Sequence, residues 1–452
     1  MRVDPAIFKA YDIRGIFPDQ LDEAVAHAVG RAFVTLLAAR RVIVGRDMRL
    51  GSGPLAAALI RGLTDQGADV VDIGMVATDQ FYHACATSGL PGLMVTASHN
   101  PPEYCGFKMV RRMPYLLSGK EGRGEGGIQD LRRIVEEEAY GPVPARRGAV
   151  SSLDVTSSYV DKVLGGIDAA ALAPLKVIAD TANGMVGPVL LRVYGSLPVR
   201  LTGMYLEPDG RAPHHGFDPM QAENRAALQQ RVLAERADVG FAFDGDGDRF
   251  FVIDDRGRFV PGDFVVALLS EYMLARHPGA KIVYDLRCSW AVRDRVAACG
   301  GIALMERVGH SFIKPRMFEE GAVFGGELSG HYYFRDFHGA DSGIVPSLLL
   351  LQLLSARRVG LAELLAPLEA KYHLSGEINS RVDDPPARMR ALAARYADGR
   401  LEWLDGISVS YDDWHFNVRP SNTEPLLRLN LEAYSRPLME ARREEVLAVI
   451  RG

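Results

Sequence analysis

Ser98 stands in Thr96-Ala97-Ser98-His99-Asn100-Pro101, directly after the apolar run Gly92 to Val95 and before a proline that ends regular structure. A hydroxyl at the end of a buried strand, flanked by an imidazole and then a proline, is expected to be exposed and rigid, and so usable as a nucleophile or group carrier. The plainer role for such a serine is a turn or a helix N-cap. Asp244-Gly245-Asp246-Gly247-Asp248-Arg249 puts three carboxylates at alternate positions, with glycines that let the backbone curl around a small ion. Hard oxygen ligands of this kind suit Mg²⁺, with water and a phosphate oxygen completing its shell. An EF-hand calcium loop would share the first, third and fifth ligands. It needs Gly at the sixth position and Glu at the twelfth, where Arg249 and Asp255 stand, and a helix before the loop, where Val239 to Phe243 reads as a strand. Three clustered carboxylates repel one another unless a cation sits among them.

Two further loops offer complementary chemistry. Gly326-Glu327-Leu328-Ser329-Gly330-His331 brings a carboxylate and a hydroxyl two residues apart, an arrangement that can grip adjacent sugar hydroxyls; its bland alternative is a strand-end turn. Arg419-Pro420-Ser421-Asn422-Thr423-Glu424-Pro425 joins a guanidinium to three small polar side chains, the makings of a phosphate cradle. Acyl transfer by Ser98 is poorly supported, because no G-x-S-x-G elbow occurs. Gly122, Gly124 and Gly127 match the dinucleotide pattern G-x-G-x-x-G, but Leu117 to Glu121 before them is not a buried strand, so a surface loop is the better reading.

These loops need a scaffold. Short β-rich runs alternate with helical patterns: Val42 to Gly45, a helix-like Gly53 to Gly67, then Val70 to Ile73, Lys176 to Ala179, Val239 to Phe243, Lys281 to Tyr284 and Ala322 to Phe324. Linker-like segments at Pro142 to Gly148, Asp254 to Arg258 and around Pro367 divide the chain into expected parts 1–148, 149–255, 256–367 and 368–452. The fourth part reads as strand Glu377 to Val382, helix Pro386 to Tyr396, strands Ile407 to Tyr411, His415 to Val418 and Leu427 to Leu431, and a final helix. The expected fold class is therefore α/β: three related α/β domains with mixed, largely parallel sheets plus a smaller α+β C-terminal domain. In open parallel sheets ligands bind beyond the carboxyl ends of the strands, so the loops are expected to converge on a central cleft.

Composition narrows the classes. A chain of 452 residues is too long for one core and should divide into three or four at roughly 100–200 residues each. Hydrophobic residues make up 48% and charged residues 24%, which places the chain with folded globular proteins. A net charge of −5 argues against a nucleic-acid surface. Cys85, Cys105, Cys288 and Cys299 are scattered, with no C-x-x-C pair and no secretory start, which points to the cytoplasm. The apolar run Val345 to Ala356 falls short of the roughly 20 residues needed to span a bilayer and reads as a buried helix, so no membrane partner is expected.

Together the loops resemble the α-D-phosphohexomutase family, most closely its phosphomannomutase/phosphoglucomutase branch. The resemblance runs from Phe8-Lys9-Ala10-Tyr11-Asp12-Ile13-Arg14-Gly15 through TASHNP, DGDGDR and GELSGH to RPSNTEP, nearly the whole chain in the family's order. It implies a phosphorylated Ser98, with Mg²⁺ held beside it by Asp244, Asp246 and Asp248. It implies that Glu327 and Ser329 bind sugar hydroxyls and that Arg419, Ser421, Asn422 and Thr423 clamp the distal phosphate. Arg14 and Arg249 resemble cations near the transferring group, Lys108 and His331 resemble acid/base residues, and Tyr11, Arg287 and His310 resemble substrate-binding positions. The implied reaction interconverts hexose 1-phosphate and hexose 6-phosphate through a hexose 1,6-bisphosphate that turns end for end, in a monomer or weak homo-oligomer.

Two positions depart from the family pattern. Cys105 stands where Asn is usual, raising the expectation of sensitivity to thiol reagents, and Arg287 stands where some relatives carry Lys. Within the family a phosphoglucosamine mutase is the alternative. Its loop reads G-E-Q-S-G-H, whereas Leu328 resembles the Met of the mannose/glucose branch. From other classes, a metal-dependent sugar phosphatase would use the same acidic loop to release inorganic phosphate, and a calcium-binding module would do no chemistry.

Overall fold

The computed structural model describes residues 1–10, 12–117, 127–420 and 426–452. The chain divides into two compact units, Met1–Val260 with Ser329–Arg358, and Pro261–Leu328 with Val359–Gly452.

The first unit contains two mixed sheets. One comprises β1 (Ile13–Ile16), β2 (Arg41–Arg46), β3 (Asp69–Met75), β4 (Gly92–Val95), β5 (Tyr104–Arg112), β6 (Tyr115–Leu116) and β7 (Val150–Ser152), in the order β1-β5-β4-β2-β3-β7 with β6 on β5. Strands β4, β2, β3 and β7 pair in parallel, while β5 runs antiparallel to both β4 and β1. Strand β7 lies beyond the expected linker Pro142 to Gly148 and still belongs to this sheet. The second sheet is formed by β8 (Lys176–Asp180), β9 (Arg200–Met204), β10 (Val239–Phe243), β11 (Phe250–Ile253) and β12 (Phe259–Val260), ordered β12-β11-β10-β8-β9. Its β9-β8-β10 half is parallel and its β10-β11-β12 half antiparallel.

Strands β1 and β5 were not legible as strands, because Arg14, Lys108, Arg111 and Arg112 interrupt the apolar pattern on which strand recognition rests. The apolar run near residue 345 is the buried helix Ile344–Arg357. No single helix among the described residues is long and apolar enough to cross a membrane.

In the second unit, strands Ile302–Glu306, Lys281–Asp285 and Phe324–Gly326 pair in parallel in that order. The last starts two residues later than expected, because left-handed Gly321 closes helix His310–Glu320 and the chain must leave that helix first. The C-terminal sheet is antiparallel throughout: His373–Arg381, Leu426–Ala433, Trp414–Pro420, Ile407–Ser410 and Arg400–Glu402 in spatial order. Asp384 caps helix Pro385–Arg395 and Ser435 caps helix Arg436–Arg451; both helices carry Pro in their first turn, where its missing N–H costs nothing. The molecule thus has three α/β domains with mixed sheets and a smaller antiparallel C-terminal domain.

Candidate active site

In the first unit, the turn after β4 meets the loop after β10. Ser98 has φ +52°, a left-handed conformation that costs a non-glycine residue energy, and its Oγ donates to Asp244 Oδ2 at 2.7 Å. His99 Nδ1 lies 3.2 Å from the same oxygen. Contrary to the expectation of an exposed hydroxyl, Ser98 is buried, because the acidic loop packs over it. That packing requires Gly245: a Cβ there would lie 2.6 Å from the Ser98 carbonyl oxygen. Gly247, at φ +80°, then turns the chain back so that Asp248 faces the other two carboxylates.

Asp244, Asp246 and Asp248 are all buried, with one ligand oxygen of each within 4.8 Å of the others. Asp244 Oδ1 accepts from the backbone N–H groups of Gly247 and Arg249. Asp246 Oδ2 accepts from Thr78 Oγ1 at 2.7 Å, Thr96 Oγ1 at 3.1 Å and Lys108 Nζ at 2.8 Å, and Lys108 also bonds Asp248. An internal ammonium therefore supplies the cation that three carboxylates demand. Burial, with Asp248 and Asp246 nearby, pushes the Asp244 carboxyl well above its usual range. Burial acts the same way on Asp248, but Lys108, His331 and Arg249 hold it well below. Burial disfavours a charged Lys108, yet Asp246, Asp248 and Asp341 keep it firmly protonated. Asp246 Oδ1 and Asp248 Oδ1 are buried without a hydrogen-bond partner. Two such oxygens beside a third carboxylate form a cluster that can hold a metal ion.

Further cations border this cluster. Arg14 donates to Asp12 Oδ2 at 2.7 Å and to Asn100 Oδ1 at 2.6 Å. Arg249 Nε donates to His331 Nε2 at 3.3 Å, and His331 Nδ1 lies 3.2 Å from Ser329 Oγ. Asp248, His331 and Asp341 form a second group of neighbouring ligand atoms. Thr78, Thr96 and Asp341 were not singled out in the sequence. Thr96 was available as part of the serine loop, whereas Thr78 and Asp341 reach the cluster only through tertiary folding.

Cys105 is buried, and burial with Asp47 nearby pushes its thiol up to about 12. The expected thiol sensitivity is therefore not supported, since attack requires an accessible thiolate.

The second unit gathers charges of the opposite kind. Arg287 donates to both oxygens of Asp285, at 3.0 and 2.8 Å, and lies 3.7 Å from Glu327 and 3.9 Å from Glu377. Glu377 also meets Arg419 at 3.2 Å and Arg428 at 3.3 Å. Burial works against the Glu377 anion, but Arg287, Arg419 and Arg428 hold its carboxyl below the ordinary range. Burial and the neighbouring Arg287 lower the pKa of Arg419. Glu327 Oε2 accepts from Gly309 N at 3.1 Å, the residue before His310, which begins helix His310–Glu320. Glu377 and Arg428 were missed because nothing local marks them: Arg428 is the register partner of Arg419 on the adjoining strand. Tyr11, Ser421, Asn422 and Thr423 lie outside the described residues, as do Gly122 and Gly124.

Comparison with known proteins adds an independent line. Models of the phosphoglucomutase/phosphomannomutase domains match in order: α/β/α domain I over residues 5–121, domain II over 157–257, domain III over 261–372 and the C-terminal domain over 377–449. A phosphomannomutase of Salmonella typhimurium is 42% identical over 454 residues, covering 98% of each chain. Phosphohexose mutases of Xanthomonas campestris pv. campestris are 40% identical over 452 residues, covering 98% of this chain and 99% of theirs. A crystal structure of a phosphoglucomutase/phosphomannomutase family protein from Burkholderia thailandensis matches with a TM-score of 0.90 at 34% identity, over 99% of this chain and 98% of that one.

Proposed function

This chain belongs to the phosphoglucomutase/phosphomannomutase family and is a phosphohexose mutase, and from that premise we propose that it interconverts the 1- and 6-phosphates of mannose or glucose through a phosphate carried on Ser98. The observation that supports the role of Ser98 above all others is its 2.7 Å bond to Asp244 inside a nest of three buried carboxylates. Phosphoryl transfer needs little covalent help from a protein. It needs in-line positioning and neutralised equatorial oxygens.

The hexose hydroxyl oxygen forms the new P–O bond as the Ser98 Oγ–P bond breaks. Of the two acid/base candidates, His331 takes the hydroxyl proton, while Lys108, already an ammonium, gives one to the departing Ser98 Oγ and regains it from His331 afterwards. Arg14 and Arg249 supply positive charge to the transferring group. The donor set of Asp244, Asp246 and Asp248, all hard oxygens with two lacking a hydrogen-bond partner, fits Mg²⁺, with Ser98 bearing the phosphate beside it. When bound, Mg²⁺ draws charge from the phosphoryl oxygens. Glu327 and Ser329 read the sugar hydroxyls, His310 and Tyr11 help to seat the ring, and Arg287 and Arg419 with Ser421, Asn422 and Thr423 take the distal phosphate. The hexose 1,6-bisphosphate formed midway turns end for end and returns its other phosphate to Ser98. We assign this chemistry to four domains near 1–148, 149–255, 256–367 and 368–452, with β7 completing the first sheet and β12 the second, in a cytoplasmic monomer or weak homo-oligomer.

Peptide mapping by mass spectrometry tests the assignment: phosphate is expected on the peptide containing Ser98, and Ser98→Ala should abolish both phosphate and turnover. kcat/KM on mannose 1-phosphate, glucose 1-phosphate and glucosamine 1-phosphate tests the substrate order, and a preference for glucosamine overturns it. Release of inorganic phosphate matching substrate loss identifies a phosphatase instead.

A further inference from the structure

Arg49 has no assigned part in this reaction, yet it makes four hydrogen bonds to one loop. It lies between β2 and helix Ser52–Asp65, and its side chain is fully buried. Nη1 donates to the carbonyl oxygens of Pro101 at 2.6 Å and Tyr104 at 2.9 Å. Nη2 donates to those of Ser98 at 2.7 Å and Asn100 at 2.6 Å. The guanidinium itself is set by Asp47, whose Oδ2 lies 3.3 Å from Nε and whose Oδ1 accepts from Arg49 N at 3.0 Å and Ser52 Oγ at 2.5 Å. Phe217 faces the same guanidinium, its ring centroid 4.9 Å from Cζ.

The loop has a physical need for this partner. Its own backbone bonds include Asn100 N to Ala97 O and Tyr104 N to Pro101 O, and Pro101 has no N–H to give. The buried Ser98 carbonyl must find a donor, and the planar fork that serves it also takes the part-buried carbonyls of Asn100, Pro101 and Tyr104. The Ser98 carbonyl is also confined on another side, where only a glycine at 245 leaves it room. Held between Arg49 and the acidic loop, Ser98 keeps its left-handed backbone and its Oγ bond to Asp244.

We propose that Arg49 is a positioning residue for phosphoryl transfer: without touching substrate, it fixes the Ser98 loop by its carbonyls and so sets the line along which the Ser98 phosphate is passed. The proposal rests on the mutase reading above. It predicts a particular kinetic signature, because a misplacement near 1 Å costs on the order of 10²-fold in rate while leaving remote binding contacts intact. A lysine keeps the charge but cannot span four carbonyls, so Arg49→Lys isolates the fork.

The experiment measures kcat and KM of full-length wild type and Arg49→Lys on the best hexose phosphate, with Mg²⁺ and hexose 1,6-bisphosphate present. It also measures how the phosphorylated protein divides its phosphate between sugar and water. The expected result is kcat lower by about 10²-fold, KM within twofold, and a larger share of phosphate lost to water, since transfer slows and hydrolysis does not. An Arg49→Lys protein that retains half or more of the wild-type kcat, or whose loss is all in KM, overturns the proposal. If Arg49→Lys does not fold, Asp47→Asn takes its place. It loosens the guanidinium from behind and should lower kcat about tenfold at unchanged KM, and a folded Asp47→Asn protein with wild-type kcat overturns the proposal equally. Wild type without turnover on any hexose phosphate, or without phosphate on Ser98, fails the mutase reading first and the Arg49 proposal with it.

Discussion

The acidic cluster of the first unit and the arginine cluster of the second are mirror images in charge. In one, Lys108 sits among Asp246 and Asp248, with Asp244 alongside. In the other, Glu377 sits among Arg287, Arg419 and Arg428. Each cluster carries an internal counter-ion of the sign that its proposed ligand would bring, a metal cation to the first and a phosphate to the second. Burial differs between them. The acidic cluster is closed, so its counter-ion bears on stability as well as chemistry. Glu377 is about a fifth exposed, so solvent weakens its hold and it acts chiefly as a competitor for anions.

The largest effect that can break this comparison is at Ser98. Ser98→Ala should cost on the order of 10⁶-fold in turnover, as nucleophile removal does elsewhere, read by coupled assay alongside loss of phosphate from its peptide. Next, Asp246→Asn should lower kcat by about 10²- to 10³-fold and raise the Mg²⁺ needed for half activity, and EDTA should silence the wild type reversibly. Lys108→Met leaves buried carboxylates without their ammonium and should destabilise the protein by about 3–5 kcal/mol in EDTA. Added Mg²⁺ should recover more stability in this variant than in wild type, measured by thermal unfolding. An equal response in both proteins would separate the ammonium from the metal site. Glu377→Gln should act in the opposite sense on the other cluster, lowering KM and the inhibition constant for inorganic phosphate by about threefold. A raised KM would make Glu377 a support and not a competitor.

A smaller effect compares the two units by pH. Asp79 in the first and Asp263 in the second are buried carboxyls that burial raises from 3.8 to about 7. Between those values the unfolded chain binds fewer protons than the folded one, so stability falls as pH rises from about 4 through 7. Asp79→Asn should therefore gain in melting temperature relative to wild type between pH 5 and pH 8. Its amide must still serve Ser342 and Tyr159, whose hydroxyls donate to Asp79 at 2.6 and 2.5 Å, so the absolute value will drop at pH 5.

What was legible in the sequence was what lies contiguous in it. The serine loop, the three alternating aspartates and the end of strand Trp414–Pro420 each carry their chemistry within a few residues, and the α/β rhythm around them is a local pattern. A strand-end hydroxyl is usually exposed, but the loop that covers Ser98 comes 146 positions later. The seat of Lys108 depends on β5 lying antiparallel to β4, where it pairs with Met94, a register that spacing does not reveal. Arg49 and Glu377 share that difficulty: each acts on partners that only the folded sheet brings near.

The internal ammonium of Lys108 also bears on how the protein is made. An acidic loop that required magnesium for its own collapse would tie the yield of folded enzyme to the supply of that ion during synthesis. A chain that brings its own positive charge to the loop can finish folding first and be loaded later, so scarcity of the metal would leave a reserve of intact, inactive protein instead of degraded chains.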